Sequence, residues 1–341
     1  MKVGIVGLPN AGKSTLFNAL THAGAEAAEY PFTTVDPNVA IVPVSDNRLE
    51  SVADTLGLAR RVPEQVEFVD VAGLVRGAHE GEGLGNRFLG HIRDVDAVLH
   101  VVRAFEHPQV AHPHGVVAPA ADLETVETEL LLADLDTAER RLAGVERRVG
   151  GGEREARAEV DFWREVVDGL RAGRPAPADA DLLTSKPVLV VANVGEGDDV
   201  PGELRDRNAV AVCALDEAEL SELEPSEAAS MRAELGIAAD ALEQVVSAAY
   251  SLLGLVTFFT AVGDAEARAR SLPRGRTAVE AAARVHTDME RGFVRAEVIG
   301  WQDLVEAGSF ARARELGRLR TEGRDYVVQD GDVLTIKFTP P

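Results

Sequence analysis

Cysteine is nearly absent from this 341-residue sequence: Cys213 stands alone. A single thiol excludes an internal disulfide and any cysteine-based metal site, and it fits a reducing compartment. Long apolar runs are missing as well. None approaches the roughly 18 uninterrupted apolar residues of a membrane span. The N-terminal Met1-Lys2-Val3-Gly4-Ile5-Val6-Gly7 reads as a short buried strand and not as a signal peptide. The expectation is a cytoplasmic protein with no membrane partner. Lysine is scarce, limited to Lys2, Lys13, Lys186 and Lys337, so nearly all basic residues are arginine. Excess positive charge is absent too: the formal net charge is -22. A chain so acidic does not adhere non-specifically to nucleic acid, and DNA is not an expected partner. The acid is unevenly spread, however. Residues 257–341 hold 13 acidic and 13 basic residues, so residues 1–256 carry the whole imbalance. That asymmetry assigns the C-terminal part a partner of its own.

Short apolar runs alternate with helical patterns over the first 122 residues. Lys2–Val6, Val39–Val44, Val66–Val71 and Ala97–Val102 read as strands, and this alternation predicts a mostly parallel sheet with helices on both faces. Leu131, Leu135, Ala138, Leu142 and Val145 then repeat at 4-3-4-3 spacing, as do Ala156, Val160, Trp163, Val167 and Leu170 after Gly150-Gly151-Gly152. Two such seams joined by a glycine turn predict an antiparallel helical hairpin. Val188–Ala192 and Ala209–Cys213 return to strand character, and from Thr257 the pattern is that of a small α+β unit.

The chemistry begins at Gly7-Leu8-Pro9-Asn10-Ala11-Gly12-Lys13-Ser14, a full Walker A sequence between a predicted strand and a helix. Its glycines let consecutive backbone N–H groups turn toward phosphate, and the helix N-terminus adds a favourable dipole. Lys13 is expected on the β- and γ-phosphates and Ser14 on Mg²⁺. Asp70-Val71-Ala72-Gly73 ends the third of these strands, 56 residues after Ser14. In GTPases a D-x-x-G at this place puts its carboxylate near Mg²⁺, usually through water, and its glycine N–H on the γ-phosphate, which is the expectation for Asp70 and Gly73. A threonine of Tyr30-Pro31-Phe32-Thr33-Thr34 completes the metal shell, Thr34 in preference to Thr33. Asn193-Val194-Gly195-Glu196 stands where GTPases carry N-K-x-D. Glu196 reaches one methylene too far for guanine, whereas the Asn193 amide suits the N6/N7 edge of adenine, with main-chain groups of Val194 framing the base. The expected nucleotide is therefore ATP. Leu74 occupies the place of the water-orienting glutamine of Ras-type enzymes, so slow intrinsic hydrolysis is expected.

These motifs resemble the Obg-like ATPases of the YchF subfamily, within the translation-factor-related P-loop GTPases. The resemblance also draws on Thr15, Asp36-Pro37-Asn38, Gly81-Glu82-Gly83-Leu84-Gly85-Asn86, Ala133-Asp134-Leu135-Asp136, His286-Thr287-Asp288 and Asp325-Tyr326-Val327-Val328-Gln329-Asp330-Gly331-Asp332, and it runs nearly end to end. It implies an α/β P-loop domain at 1–122 and 185–255, an inserted helical coiled-coil arm at 123–184, and a C-terminal TGS domain of β-grasp type at 256–341. It implies a Mg²⁺-dependent ATPase acting on ribosomes as a monomer, with nucleotide held by Asn10, Ala11, Gly12, Lys13, Ser14, Thr15, Asn193, Val194 and Glu196. Asn10 is where some relatives bind K⁺, and His112, among His107, His112 and His114, is the histidine expected to reach the attacking water. A GTPase ribosome-assembly factor of related architecture remains the alternative. Arg268, Arg270, Arg274 and Arg276, with Arg312, Arg314, Arg318, Arg320 and Arg324, form two arginine-rich segments suited to RNA phosphate.

Overall fold

The structure, a computed structural model, describes residues 1–26, 38–71, 84–149, 156–235, 237, 241–262 and 265–340. In chain order the elements begin with β1 (Lys2–Val6), α1 (Lys13–Glu26), β2 (Val39–Pro43), α2 (Asn47–Leu56), β3 (Arg60–Val62) and β4 (Gln65–Asp70). Next come α3 (Leu84–Arg93), β5 (Ala97–Ala104), α4 (Pro119–Val149), α5 (Ala156–Arg171), β6 (Val188–Val194) and β7 (Val210–Val212). There follow α6 (Ala214–Leu220), α7 (Pro225–Leu235), α8 (Ala241–Leu252), β8 (Leu255–Val262), β9 (Glu266–Pro273) and α9 (Ala278–Val285). The chain closes with α10 (Thr287–Arg291), β10 (Phe293–Gly300), α11 (Trp301–Ala307), α12 (Phe310–Glu315), β11 (Arg320–Glu322) and β12 (Asp332–Phe338).

Two compact units result, one of residues 1–42 and 66–249, the other of 43–65 and 250–341. The first is built on a six-stranded sheet of order β2-β4-β1-β5-β6-β7. β1 is parallel to β4 and β5, β5 to β6, and β6 to β7. Their carboxyl ends therefore share one edge, where open α/β sheets bind ligands. β1 and β5 are buried almost throughout, as the continuous apolar runs of a doubly covered sheet require. Val6, Leu8, Val71, Ile92, Val98, Val126 and Leu183 form one of its cores, and Val102, Leu123, Val190, Ala192 and Leu204 another.

Helices span both predicted seams, and their described seam positions pack together; the Ala156 side chain lies outside what is described. Ala138 and Val145 of α4 pack with Val160, Trp163, Val167 and Leu170 of α5, and Leu131, Leu135 and Leu142 are partly buried against them. Ion pairs Arg171–Glu139 at 2.6 Å, Arg164–Glu146 at 2.8 Å and Arg148–Glu159 at 2.7 Å join the two helices. Midway along α4 the Asp134 carboxylate accepts from the N–H groups of Leu183 and Thr184 at 3.0 and 2.8 Å.

The second unit has a six-stranded sheet of order β11-β10-β12-β8-β9-β3. β8 and β9 are antiparallel, β10 is antiparallel to β12, and β12 runs parallel to β8. Residues 43–65 fall here, although the sequence pattern placed them with the nucleotide motifs. β3 pairs in parallel with β9, and α2 buries Leu49, Val52 and Ala53 in a core with Phe259, Ile299 and Val333. Local signals build α2: the Asp46 side chain caps its start and Gly57, at φ 67, ends it. Its packing partner lies some 200 residues further on, which no local pattern reveals.

Candidate nucleotide site

The loop after β1 is shaped by two close approaches. Gly7 has φ 151, and a Cβ there would lie 2.3 Å from the Val101 carbonyl oxygen. Gly12 has φ 92, and its Cβ would meet Asn193 Nδ2 at 2.0 Å. Glycine is therefore required at both places. The helix α1 opens at Lys13, so the N–H groups of the first turn face the sheet edge, the arrangement that receives phosphate.

Lys13 is 7% exposed, and its Nζ donates to the Leu8 carbonyl at 2.8 Å. Burial lowers its pKa, which the Asp70 charge partly offsets. Asp70 ends β4 in register with Ile5. Burial raises its carboxyl pKa, against the opposing effects of Lys13 and of a hydrogen bond from Ser14. Ser14 and Asp70 thus stand together as hard oxygen donors, one of them a half-buried carboxylate favoured by an added cation. That donor set fits Mg²⁺. Thr34 and Gly73, the other residues expected around the metal and γ-phosphate, lie outside the described residues, as does Leu74.

On the base side, Asn193, the penultimate residue of β6, lies beside Val212 of β7 and is 5% exposed. Its Nδ2 donates to the Ala11 carbonyl at 2.9 Å, and its Oδ1 accepts from the Ala214 N–H at 3.0 Å. The side chain thus ties the phosphate loop to the loop after β7. Each amide group makes one bond, so one N–H and one oxygen lone pair remain for a ligand. Any contact with an adenine edge must share the side chain with this clamp. Val194 is buried, Glu196 is exposed, and Leu215 beside the Asn193 clamp is 57% exposed.

The loop after β5 is held by groups that the sequence motifs did not mark. Arg103 is 2% exposed, and among the described residues its guanidinium donates to carbonyls, those of Phe105 at 3.2 Å, Val110 at 2.9 Å and Ala111 at 3.4 Å. It also lies 4.5 Å from the Phe105 ring centroid. Asn10, in left-handed conformation at φ 64, donates its Nδ2 to the same Ala111 carbonyl at 2.9 Å. Its Oδ1 is left for other use. His112 Nε2 lies 2.7 Å from Asp122 Oδ2, and both side chains are about nine-tenths buried or more, at 4% and 5% exposure. His107 is exposed. Deeper in the sheet, His100 on β5 is pulled down to about 3 by burial first and by the charges of Lys13 and Arg207 second, so it is neutral in the fold. A basic residue closing an apolar strand, as Arg103 does, was the available sequence signal. Asp122 reads simply as an acidic residue in the first turn of a helix.

Of the arginine-rich segments, most members are paired. Arg276 meets Glu280, Arg312 meets Glu315, Arg314 meets Glu297, and Arg318 meets Asp303 and Glu306. Arg268 meets Glu266, Arg320 meets Glu322, and Arg270 donates to the Arg284 carbonyl.

A family model described as 50S ribosome-binding GTPase matches residues 2–134, and one described as YchF-GTPase_C, a protein of unknown function, matches residues 255–339. The chain is 45% identical to the Bacillus subtilis "Ribosome-binding ATPase YchF", with 99% of each chain covered. It is 44% identical to the protein of the same name from Escherichia coli O157:H7, again over 99% of both. Among solved structures it is similar to the Schizosaccharomyces pombe YchF GTPase, with a TM-score of 0.86 and 32% identity over 99% of this chain and 97% of that one. A continuous match of this length, across both units and on a shared fold, means that the chain belongs to the YchF family.

Proposed function

We propose that this chain is a Mg²⁺-dependent ATP hydrolase that binds ribosomes and acts, as a cytoplasmic monomer, as a nucleotide-switched regulator of translation or stress response. The observation that carries the reading is the Asn193 clamp between Ala11 and Ala214, with an exposed Glu196 where guanine recognition needs an aspartate. The remaining Asn193 N–H reaches N7 of either purine. Discrimination then falls to Glu196 and to the main chain of Val194, and a glutamate too long for the guanine edge favours adenine. The relatives' name, ribosome-binding ATPase, points the same way.

In this reading the backbone of Asn10, Ala11, Gly12, Lys13, Ser14 and Thr15 wraps the phosphates, and Lys13 leaves the Leu8 carbonyl to meet them. A bound anion returns Lys13 toward its ordinary pKa by opposing the burial cost. Ser14, Thr34 and, through water, Asp70 hold Mg²⁺, which when bound neutralises charge on the β- and γ-phosphates. Gly73 donates its N–H to the γ-phosphate. Asn10 Oδ1 suits a K⁺ ion, since its amide nitrogen is already engaged. His112, once released from Asp122, orients the attacking water. Residues 123–184 serve as a helical arm, supported by cross-helix ion pairs in which rising positions on α4 meet falling positions on α5. Residues 256–341 serve as a TGS domain, supported by the antiparallel β8–β9 pair and the parallel β8–β12 pair around α9.

Ribosome contact runs through the C-terminal unit, where the acidic bias ends. Ion pairs engage Arg268, Arg312, Arg314, Arg318 and Arg320, whereas Arg274 is exposed and without an ion pair among the described residues, beside Arg276. Co-sedimentation of the full chain with ribosomes, with and without ATP, tests this. Binding is expected to weaken steeply with salt through counterion release. Reversing charge at Arg274 and Arg276 together is expected to reduce pelleting while ATP affinity holds. Pelleting equal to wild type across a salt series overturns the C-terminal surface and moves docking to α4 and α5. No pelleting of the wild type at low salt overturns ribosome binding itself.

A further inference from the structure

Asp122 is a buried carboxylate that enters the reading above only as the group His112 must leave. It lies in the first turn of α4, and its Oδ1 has no hydrogen-bond partner among the described residues, with His114 Nδ1 3.5 Å away. Its Oδ2 faces His112 Nε2 at 2.7 Å. The position of the imidazole proton follows from the opposite side of the ring. The His114 backbone N–H donates to His112 Nδ1 at 3.1 Å, so that nitrogen presents a lone pair and Nε2 carries the proton, given to Asp122. Both ring nitrogens are thereby engaged, and the side chain is 4% exposed. Held this way, His112 has no free nitrogen for a water molecule. His112, His114 and Asp122 also bring ligand atoms within 4.8 Å of one another, the spacing of a metal cage. A metal would need the Nε2 lone pair, and the proton that Nδ1's contact places on Nε2 blocks it. The cluster is a hydrogen-bonded pair with a bystander histidine.

We infer that Asp122 is a positioning residue that latches His112 in an unreactive orientation, and that displacement of the α4 root releases it for hydrolysis. The inference rests on the reading of His112 as the group that orients the water. The surrounding contacts make the latch a point of coupling. On one side, Asn10 of the phosphate loop and Arg103 of β5 grip the 105–111 segment through the Ala111 carbonyl. On the other, Asp122 belongs to a 31-residue helix, which at 1.5 Å per residue reaches about 45 Å from the sheet edge. A contact made far along that helix therefore acts through its root on His112, while the phosphate loop acts on the same segment from the nucleotide side. The unpartnered Oδ1 keeps the latched state from being fully satisfied, which lowers the barrier to leaving it.

Intrinsic ATP hydrolysis of the full chain, measured for wild type, Asp122→Ala, His112→Ala and the double variant, tests the latch. Asp122→Ala is expected to hydrolyse about tenfold faster than wild type, the fold-change that loss of one charge-assisted hydrogen bond represents. Asp122→Asn keeps an accepting oxygen without the charge and is expected to fall between the two. The double variant is expected at the level of His112→Ala. An Asp122→Ala rate at or below wild type, or a gain that survives in the double variant, overturns the latch while leaving any His112→Ala defect standing. A His112→Ala variant as active as wild type on ribosomes instead overturns the reading of His112, and the latch with it. Long-range ¹H–¹⁵N NMR of the folded wild type supplies a readout independent of activity: the Nε2–H tautomer of His112 is expected, unchanged by added Zn²⁺ and lost in Asp122→Ala. An Nδ1–H tautomer, or a Zn²⁺-shifted spectrum, overturns the assignment.

Discussion

In the unit built on the second sheet, arginines meet carboxylates at the surface: Arg312 with Glu315 at 2.7 Å, Arg314 with Glu297 at 2.8 Å and Arg276 with Glu280 at 2.9 Å. In the unit built on the parallel sheet, the two cations nearest the nucleotide loop are buried and bonded to carbonyl oxygens, Lys13 to Leu8 and Arg103 to Phe105, Val110 and Ala111. The difference separates two uses of positive charge. A cation beside a carboxylate is neutralised, and an exposed pair of that kind contributes about 0–1 kcal/mol. A cation held by carbonyls keeps its charge for an arriving anion, at a desolvation cost visible in the lowered pKa of Lys13.

The comparison breaks most visibly at Lys13. Lys13→Ala is expected to reduce hydrolysis by about 10²–10³-fold or more, the scale of losing one preorganised charge at a reacting group. A rate within a factor of a few of wild type would place the phosphate elsewhere. Arg103→Met is the next largest. It leaves the Phe105 and Val110 carbonyls without their donor, while Ala111 keeps the bond from Asn10, and each such group costs about 1–3 kcal/mol when buried and unmet. Chemical denaturation is expected to show a loss of that order, with slower partner-stimulated hydrolysis because the His112 loop loses its grip. Asn193→Ala removes one donor and one acceptor between Ala11 and Ala214 and is expected to cost about 1–3 kcal/mol, with weaker binding of both purine nucleotides by calorimetry.

His100 sharpens the contrast through pH. Its folded pKa, near 3, lies below the ordinary histidine value. Below about pH 6.5 the unfolded chain takes up a proton that the native ring refuses, so its contribution to stability is present above that pH and lost as pH falls toward 3. A His100→Leu variant is expected to show a flatter fall in Tm over that window; an identical acid limb would contradict burial of a neutral ring. The smallest effect belongs to the surface pairs. Arg312→Ala is expected to change stability by less than about 1 kcal/mol, and a larger loss would mean that these pairs hold the second unit together.

The parallel sheet and its phosphate loop are legible in the sequence because local pattern and chemistry coincide there. Gly7, Gly12, Lys13 and Ser14 sit at fixed spacing between a strand and a helix, Asp70 closes the alternating strand Gln65–Asp70, and Asn193 follows the apolar run Val188–Ala192. The helical seams are legible because their spacing is their packing. What escapes has a partner far away in sequence. β3, Arg60-Arg61-Val62, has no alternation of its own and is a strand only because β9 pairs with it. The arginine segments read as a phosphate-binding face because acids such as Glu297, Asp303 and Glu306 come from other elements. Asp122 looks like a helix-start acid until the loop folds His112 onto it. The clamp that Asn193 makes runs from Ala11, 182 residues earlier in the chain, to Ala214, and at the first of these distances composition carries no signal.

Base selection is where the account commits itself most. Titration of the full chain with fluorescent ATP and GTP in Mg²⁺, repeated on Glu196→Asp, measures it directly. The account predicts tighter ATP than GTP binding in the wild type and a shift toward GTP in the variant, because aspartate restores the reach that guanine needs. GTP bound as tightly as ATP by the wild type, with no shift in Glu196→Asp, would contradict it and make the chain a GTPase.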